Sequence, residues 1–207
     1  MRASGYTVFI IEDDQSVRDA LGLSLGLRGY PVAMFADAAS FLKAYRSGWN
    51  GCMLIDIRMP GIDGLTLQKR LLESGCKMPA IIMTGHGDVE SARAAFRLHA
   101  VDFLEKPIDH TKLVNAIEEA FNRQANVQAV EGQRTEFDRL LATLTPRENE
   151  VMGMVVAGQH NREIAEALGI SVRTVEVHKA RMMGKLRVES VPDLVRLCLI
   201  GHGVASK

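Results

Sequence analysis

Four short apolar runs in this chain each end in a side chain able to handle phosphate. "TVFIIEDD" closes on Glu12, Asp13 and Asp14, "GCMLID" on Asp56, "AIIMT" on Thr84, and "VDFLEK" on Lys106, just before Pro107. A carboxylate can attack phosphorus and form an acyl phosphate. The incoming group is itself anionic, so an isolated carboxylate would repel it. A divalent cation between the acceptor and the phosphoryl oxygens removes that repulsion, and Mg2+ favours a few carboxylates plus waters and substrate oxygens. Asp13 and Asp56 are candidate ligands, with Glu12 beside them or acting through water. Lys106 would neutralise a second phosphoryl oxygen, and Thr84 would donate a hydrogen bond to a third.

Some of these residues have plainer explanations. Asp14 directly precedes a helix starting near Gln15 and serves equally well as its cap. Thr84 alone would be unremarkable. Lys106 alone would be a surface lysine, although Lys-Pro at a strand end is unusual. Asp56 is harder to set aside: it lies between apolar "CMLI" and "IRMPG", with no helix to cap.

For these groups to act together, the elements must bring them to one edge. Runs such as "VFII" and "MLI" are continuously apolar, as parallel strands covered on both faces are. Strands are predicted over residues 7–11, 31–35, 52–55, 80–84 and 101–104. Between them, Val17, Leu21 and Leu25 recur at helical spacing, as do Leu65, Leu71 and Leu72, and Leu113, Ile117 and Phe121. Five β/α units imply an α/β fold, a doubly wound five-stranded parallel sheet. Ligands bind such sheets at the carboxyl ends of the strands.

Beyond residue 124 the pattern changes. "NRQANVQAVEG" is polar; it is predicted to continue the preceding helix and fray near Gly132. The expected organisation is a first domain over residues 1–124, a partly helical linker over 125–140, and an all-helical domain over 141–207. Thr145-Pro146-Arg147-Glu148 is a helix start: Thr145 can cap, Pro146 suits the first helical position, and Glu148 can reach back. Gly158 ends that helix. Residues 163–168 form the next, closed by Gly169, and Ser171 caps a third running to about Leu186. A fourth is expected over residues 191–200. Two short helices joined by a tight Gly-containing turn form a helix-turn-helix.

In that motif the second helix enters the major groove. Val172, Val175, Met182, Met183 and Leu186 include its expected core face. Arg173, Thr174, Glu176, His178, Lys179, Arg181 and Lys185 are the candidate DNA contacts. Arg and Lys suit phosphate or guanine, and Glu can accept from cytosine. The formal net charge of the whole chain is zero, so bulk charge names no partner. Between Ser171 and Arg187, however, Arg173, Lys179, Arg181, Lys185 and Arg187 face one acid, Glu176, a local excess suited to a polyanion. Cys52, Cys76 and Cys198 are odd in number and widely spaced, which disfavours disulfides and a zinc site. "MRASGYTVFII" carries no signal-peptide pattern, and no run is long enough to span a bilayer. A cytoplasmic protein with no membrane partner is expected.

Residues 5–124 resemble the response-regulator receiver family, through Glu12-Asp13-Asp14, "IDIRMPGIDG", "MTGHGD" and "DFLEKP". The resemblance implies strand order 2-1-3-4-5 (a flavodoxin-like receiver), phosphorylation of Asp56 by a sensor histidine kinase, and dependence on Mg2+ at a site comprising Glu12, Asp13, Asp56 and Arg58. It also implies a switch in which Thr84 turns toward the phosphoryl group and Phe103 follows, although Phe103 could equally be core. The pair Glu-Asp replaces the usual Asp-Asp, and Gly85 leaves the acceptor thinly covered, which suggests a short phosphoryl lifetime. Residues 141–203 resemble the LuxR/NarL-type DNA-binding domain, through "LTPRENEVMGMVVAG", "REIAEALGIS", "RTVEVHKARMMGKL" and "DLVRLCLIG". His160 stands where that family has Ser, a poorer cap. In that family the fourth helix pairs with its twin, which makes Val191, Leu194, Val195 and Cys198 dimer candidates or plain core. The whole arrangement looks most like the FixJ type.

The resemblance therefore implies a transcription factor rather than an enzyme, with promoter DNA, a sensor histidine kinase and RNA polymerase as partners and a homodimer on activation. Two rivals remain. A phosphatase of the haloacid-dehalogenase type would need Asp where this chain has Arg58. A constitutive DNA binder with an unphosphorylated receiver would not need Asp56.

Overall fold

The computed structural model describes residues 5–85 and 89–201. The chain divides into two compact units, residues 1–127 and 128–207.

The first unit alternates strand and helix: β1 (Thr7–Ile11), α1 (Gln15–Leu27), β2 (Val32–Phe35), α2 (Ala38–Ala44), β3 (Gly51–Asp56), α3 (Gly64–Glu73), β4 (Ala80–Thr84), α4 (Val89–Arg97), β5 (Asp102–Glu105) and α5 (His110–Leu141). The strands are all parallel and ordered β2-β1-β3-β4-β5. Alternate residues of each strand feed opposite cores. Val8, Ile10, Leu54, Ile81 and Met83 meet Leu21 and Leu25 of α1 and Leu113, Ile117 and Phe121 of α5. Phe9, Ile11, Met53, Ile55 and Ile82 meet Phe41 of α2, Leu67 and Leu71 of α3 and Ala95 of α4. Both faces are apolar because both are covered, and the strands read as unbroken hydrophobic runs for that reason. One helix departs from its expected stripe: Leu67 faces the core, whereas Leu72 is exposed.

α5 does not fray. It runs unbroken from His110 through Gly132 to Leu141, so the expected linker is helix throughout. Exposed Glu-Arg pairs along it, Glu119 with Arg123 and Glu136 with Arg139, give the modest support such spacings provide.

The second unit holds α6 (Pro146–Val156), α7 (Asn161–Leu168), α8 (Val172–Leu186) and α9 (Val191–Gly201), packed with the end of α5 around Phe137, Val151, Ile164, Val175, Met182, Leu186 and Leu194. The start of α6 is the expected capping box. The Glu148 N–H donates to Thr145 Oγ1, and the Thr145 N–H donates to Glu148 Oε2 at 2.8 Å. Gly169 closes α7 at φ 64°, ψ 35°; that left-handed conformation costs a residue with a Cβ more than it costs glycine, and it sets the turn into α8. The three cysteines are free and buried.

Candidate functional site

The pairing register places the polar residues level with one another. Ile11 pairs with Ile55, so Glu12 lies just beyond β1 beside Asp56. Asp56 pairs with Met83, and Thr84 pairs with Glu105, immediately before Lys106. The Lys106 N–H donates to the Thr84 carbonyl at 2.7 Å, which fixes where the lysine leaves the sheet; the Lys106–Pro107 peptide is cis. Lys106 Nζ then lies 2.6 Å from Asp56 Oδ1 and 2.6 Å from Glu12 Oε2. Glu12 is 1 % exposed, Thr84 2 % and Asp56 3 %. Asp13, by contrast, is exposed. One lysine therefore bridges two buried carboxylates at the carboxyl end of a parallel sheet.

The electrostatics follow from burial. Desolvation lifts the Glu12 carboxyl above its ordinary range; the Lys106 hydrogen bond opposes that rise, and the Asp56 charge adds to it. Burial works against the Lys106 charge, but its bonds to Asp56 and Glu12 outweigh it, and its pKa is raised. The lysine is locked in its charged form. Carboxylate oxygens of Glu12, Asp13 and Asp56 also lie within 4.8 Å of one another. Three hard oxygen donors around one point suit Mg2+, which takes a small number of carboxylates.

The surrounding backbone is fixed by its own bonds. Asp14 is the cap of α1: its carboxylate accepts from the Ser16 and Val17 N–H groups at 2.8 and 3.2 Å. The Asp14 N–H reaches Glu12 Oε1 at 3.3 Å, and Arg18 donates to the Glu12 and Asp13 carbonyls. Gly64 was not a candidate in the sequence, yet it bears directly on the acceptor. Its N–H donates to the Ile57 carbonyl, and a Cβ built on it would lie 2.2 Å from the Asp56 carbonyl oxygen. The last glycine of "IDIRMPGIDG" was the available signal. Arg58 is exposed, and its guanidinium has no lone pair for a metal, so only its main-chain carbonyl suits that role. Phe103 is half-buried against the α2–α3 core and lines a cavity of about 620 Å3 with Val89, Ala92 and Lys112. The remainder of "MTGHGD" after Gly85, residues 86–88, lies outside the described residues.

In the second unit α7 and α8 form the helix-turn-helix. Arg173, Glu176 and Arg181 project into solvent, and Thr174, His178 and Lys179 are half-buried beside them. Lys185 differs from them in having partners within the unit. Its Nζ donates to Glu148 Oε2 at 2.6 Å and to the Thr143 carbonyl at 3.0 Å, tying the end of α8 to the start of α6. Glu148 is 3 % exposed, so the ammonium meets a buried carboxylate of its own unit. That contact, with the Thr145 bonds, holds the Glu148 carboxyl down at about 2. Val172 is exposed rather than core, and so is Val177 at 42 %. Val172 was expected in the core and Val177 was not singled out, because an apolar residue on a helix is ordinarily assigned to the core. Leu194 and Cys198 of α9 are intradomain core, while Leu199 is exposed. His160 makes no side-chain cap bond to α7; its N–H donates instead to Glu163 Oε2 at 2.7 Å.

Comparison with known proteins accounts for both units. Residues 8–118 match the family described as response regulator receiver domain, and residues 142–198 match the luxR family of bacterial regulatory proteins. The transcriptional regulatory protein FixJ of Azorhizobium caulinodans is 43 % identical over 198 residues, covering 96 % of this chain and 93 % of that protein. The structure of the response regulator StyR superposes with a TM-score of 0.85 at 35 % identity, covering 94 % of this chain and 98 % of the other. Full-length FixJ from B. japonicum gives a TM-score of 0.59 at 40 % identity, covering 95 % and 97 %.

Proposed function

This chain belongs to the response regulators that join a receiver domain to a luxR-family DNA-binding domain, and we propose that Asp56 is the residue through which phosphorylation controls its reading of DNA. The observation that carries this assignment is the bridge Glu12–Lys106–Asp56 at 2.6 Å on each side. An Asp56 oxygen attacks phosphorus, the P–N bond to the histidine of a sensor kinase breaks, and the imidazole leaves with the electron pair. Lys106 holds its charge beside the acceptor and follows the phosphoryl oxygens. Thr84, at the end of the adjacent strand, donates to the same group and turns toward it, and Phe103 follows. Asp13 and Asp56, with Glu12 nearby and the Arg58 carbonyl, would hold Mg2+, which would supply the positive charge that lets two anions meet.

The receiver occupies residues 1–124 and the DNA-binding domain 141–207, joined by helix. Phosphorylating one carboxylate puts a dianionic group in its place and biases a two-state element; the output is a homodimer on paired half-sites that acts with RNA polymerase at promoters. Arg173, Thr174, Glu176, His178, Lys179 and Arg181 carry the DNA contact. Among the described residues no helix is long and apolar enough to cross a membrane; the cytoplasm, where promoter DNA is met, is the compartment this reading requires. The test is mass spectrometry after incubation with acetyl phosphate and Mg2+. Wild type gains one phosphoryl group and Asp56→Asn gains none; equal gain by both would overturn the assignment.

A further inference from the structure

The solvent face of α8 is a single stripe. Arg173, Glu176, Val177, Ala180 and Arg181 are exposed at spacings of three and four residues, while Val175, Met182 and Leu186 point into the core. A helix-turn-helix lays such a face in the major groove, its N-terminal half against the base edges. Two guanidinium groups and two small apolar side chains suit that position. A carboxylate does not suit it on charge alone, because the groove is walled by phosphates.

Among the described residues no cation pairs with Glu176. Acids of the second unit that form ion pairs include Glu136 with Arg139 and Arg187, Glu148 with Lys185, Glu150 with Arg147, and Asp193 with Arg196. Among the described residues Glu176 makes no such pair and no hydrogen bond. Arg173, one turn earlier, and Arg181, just over one turn later, likewise have no ion pair or hydrogen bond among the described residues, so the stripe stays net positive around the carboxylate. An ionised carboxylate can only accept hydrogen bonds. In the major groove guanine offers N7 and O6 and thymine offers O4, all acceptors that repel it. Cytosine offers its N4 amino group. Adenine offers N6 but sets the N7 lone pair beside it, opposite the second carboxylate oxygen.

We infer that Glu176 is a specificity-determining residue that selects cytosine at one fixed position of each half-site. This rests on the reading of α8 as the DNA-contacting helix. The flanking arginines hold the helix against phosphate or guanine, and Glu176 makes that approach favourable only over the correct base. The isosteric Glu176→Gln converts an acceptor into a donor–acceptor pair that matches adenine N6 and N7. Glu176→Ala removes the group without adding another, and because the position is exposed neither change disturbs the core.

The experiment uses the full-length protein activated with beryllofluoride, selecting from a pool of random duplexes, followed by titration of the enriched site and its single-base variants. Wild type should enrich a site with cytosine at one position per half-site, and replacing that cytosine by thymine should weaken binding about tenfold. Glu176→Ala should lose that preference to within about twofold, and Glu176→Gln should shift it toward adenine. If all three proteins enrich one site with identical preferences at every position, the inference is overturned and the DNA-binding reading stands. If wild type enriches nothing, the DNA-binding reading falls and the inference with it.

Discussion

Gly64→Ala reports on how closely the phosphoacceptor is held. The added Cβ would lie 2.2 Å from the Asp56 carbonyl oxygen and 2.9 Å from Ile55 Cγ2. Carbon ordinarily meets a carbonyl oxygen at about 3.3–3.6 Å, so something must move by about 1 Å. The nearest atoms are main chain at the end of a central strand, and no flexible side chain can swing aside. The Gly64 N–H is also bonded to the Ile57 carbonyl at 2.9 Å, which resists retreat of α3. Overpacking of this kind costs about 1–3 kcal/mol, equivalent to about 4–12 °C in melting temperature for a unit of this size. A shift of about 1 Å at a reacting group costs about a hundredfold in rate. Both are measurable: phosphorylation by intact mass against time with acetyl phosphate and Mg2+, and unfolding by the fluorescence of the single tryptophan, Trp49, which stacks on Phe9 at 4.7 Å. Gly26→Ala is the internal control, since Gly26 lies in the last turn of α1 with nothing within 4 Å of its would-be Cβ; it should stabilise by about 0.5–1 kcal/mol. A Gly64→Ala protein with wild-type phosphorylation rate and wild-type melting would refute the claim that α3 clamps Asp56.

Lys106→Met leaves Glu12 and Asp56 buried with no lysine between them, a loss of about 3–5 kcal/mol. The Glu12 carboxyl, already raised from its ordinary 4.5, should rise further; an acid that binds its proton more readily when folded loses stability as pH climbs through that window. In Mg2+-free urea titrations the deficit should therefore be larger at pH 7 than at pH 4.5, and equal deficits would contradict the bridge. Lys185→Met should destabilise the second unit more at pH 7 than at pH 3.5, because a carboxyl lowered from 4.5 to about 2 contributes stability above 4.5 that is lost as pH falls through 2. Its salt dependence of DNA binding should match wild type; a slope reduced by about one would mark a phosphate contact instead. Gly132→Ala, at an open position inside α5, should stabilise by about 1 kcal/mol in urea unfolding, and a loss would mean that the helix breaks there.

The sheet was legible because its strands are short, apolar and punctuated. Predicted and observed strands agree within one residue, and their order follows from the resemblance. The capping residues of α6 and the turn glycine Gly169 were legible for the same local reason: cap chemistry is written within four residues. The helical linker was less so. Gly132 lowers helix propensity by about 1 kcal/mol, but salt-bridged neighbours and packing at both ends of α5 outweigh a single residue. Leu72 and Val172 were placed inward from type and approximate helical spacing, which do not fix a face when the stripe is broad.

Residue identity and local order determined which groups of this protein can do chemistry and that five strands would deliver them to one edge. Only tertiary structure decided how they divide the work. Lys106 and Lys185 are the same residue type near the end of an element, and their local sequence does not name the carboxylates they meet. One bridges Glu12 and Asp56, the other is consumed by Glu148 and Thr143. The partners lie 94, 50, 37 and 42 residues away along the chain, and a long-range charge pair is set by which surfaces the folded cores bring together, not by spacing in sequence.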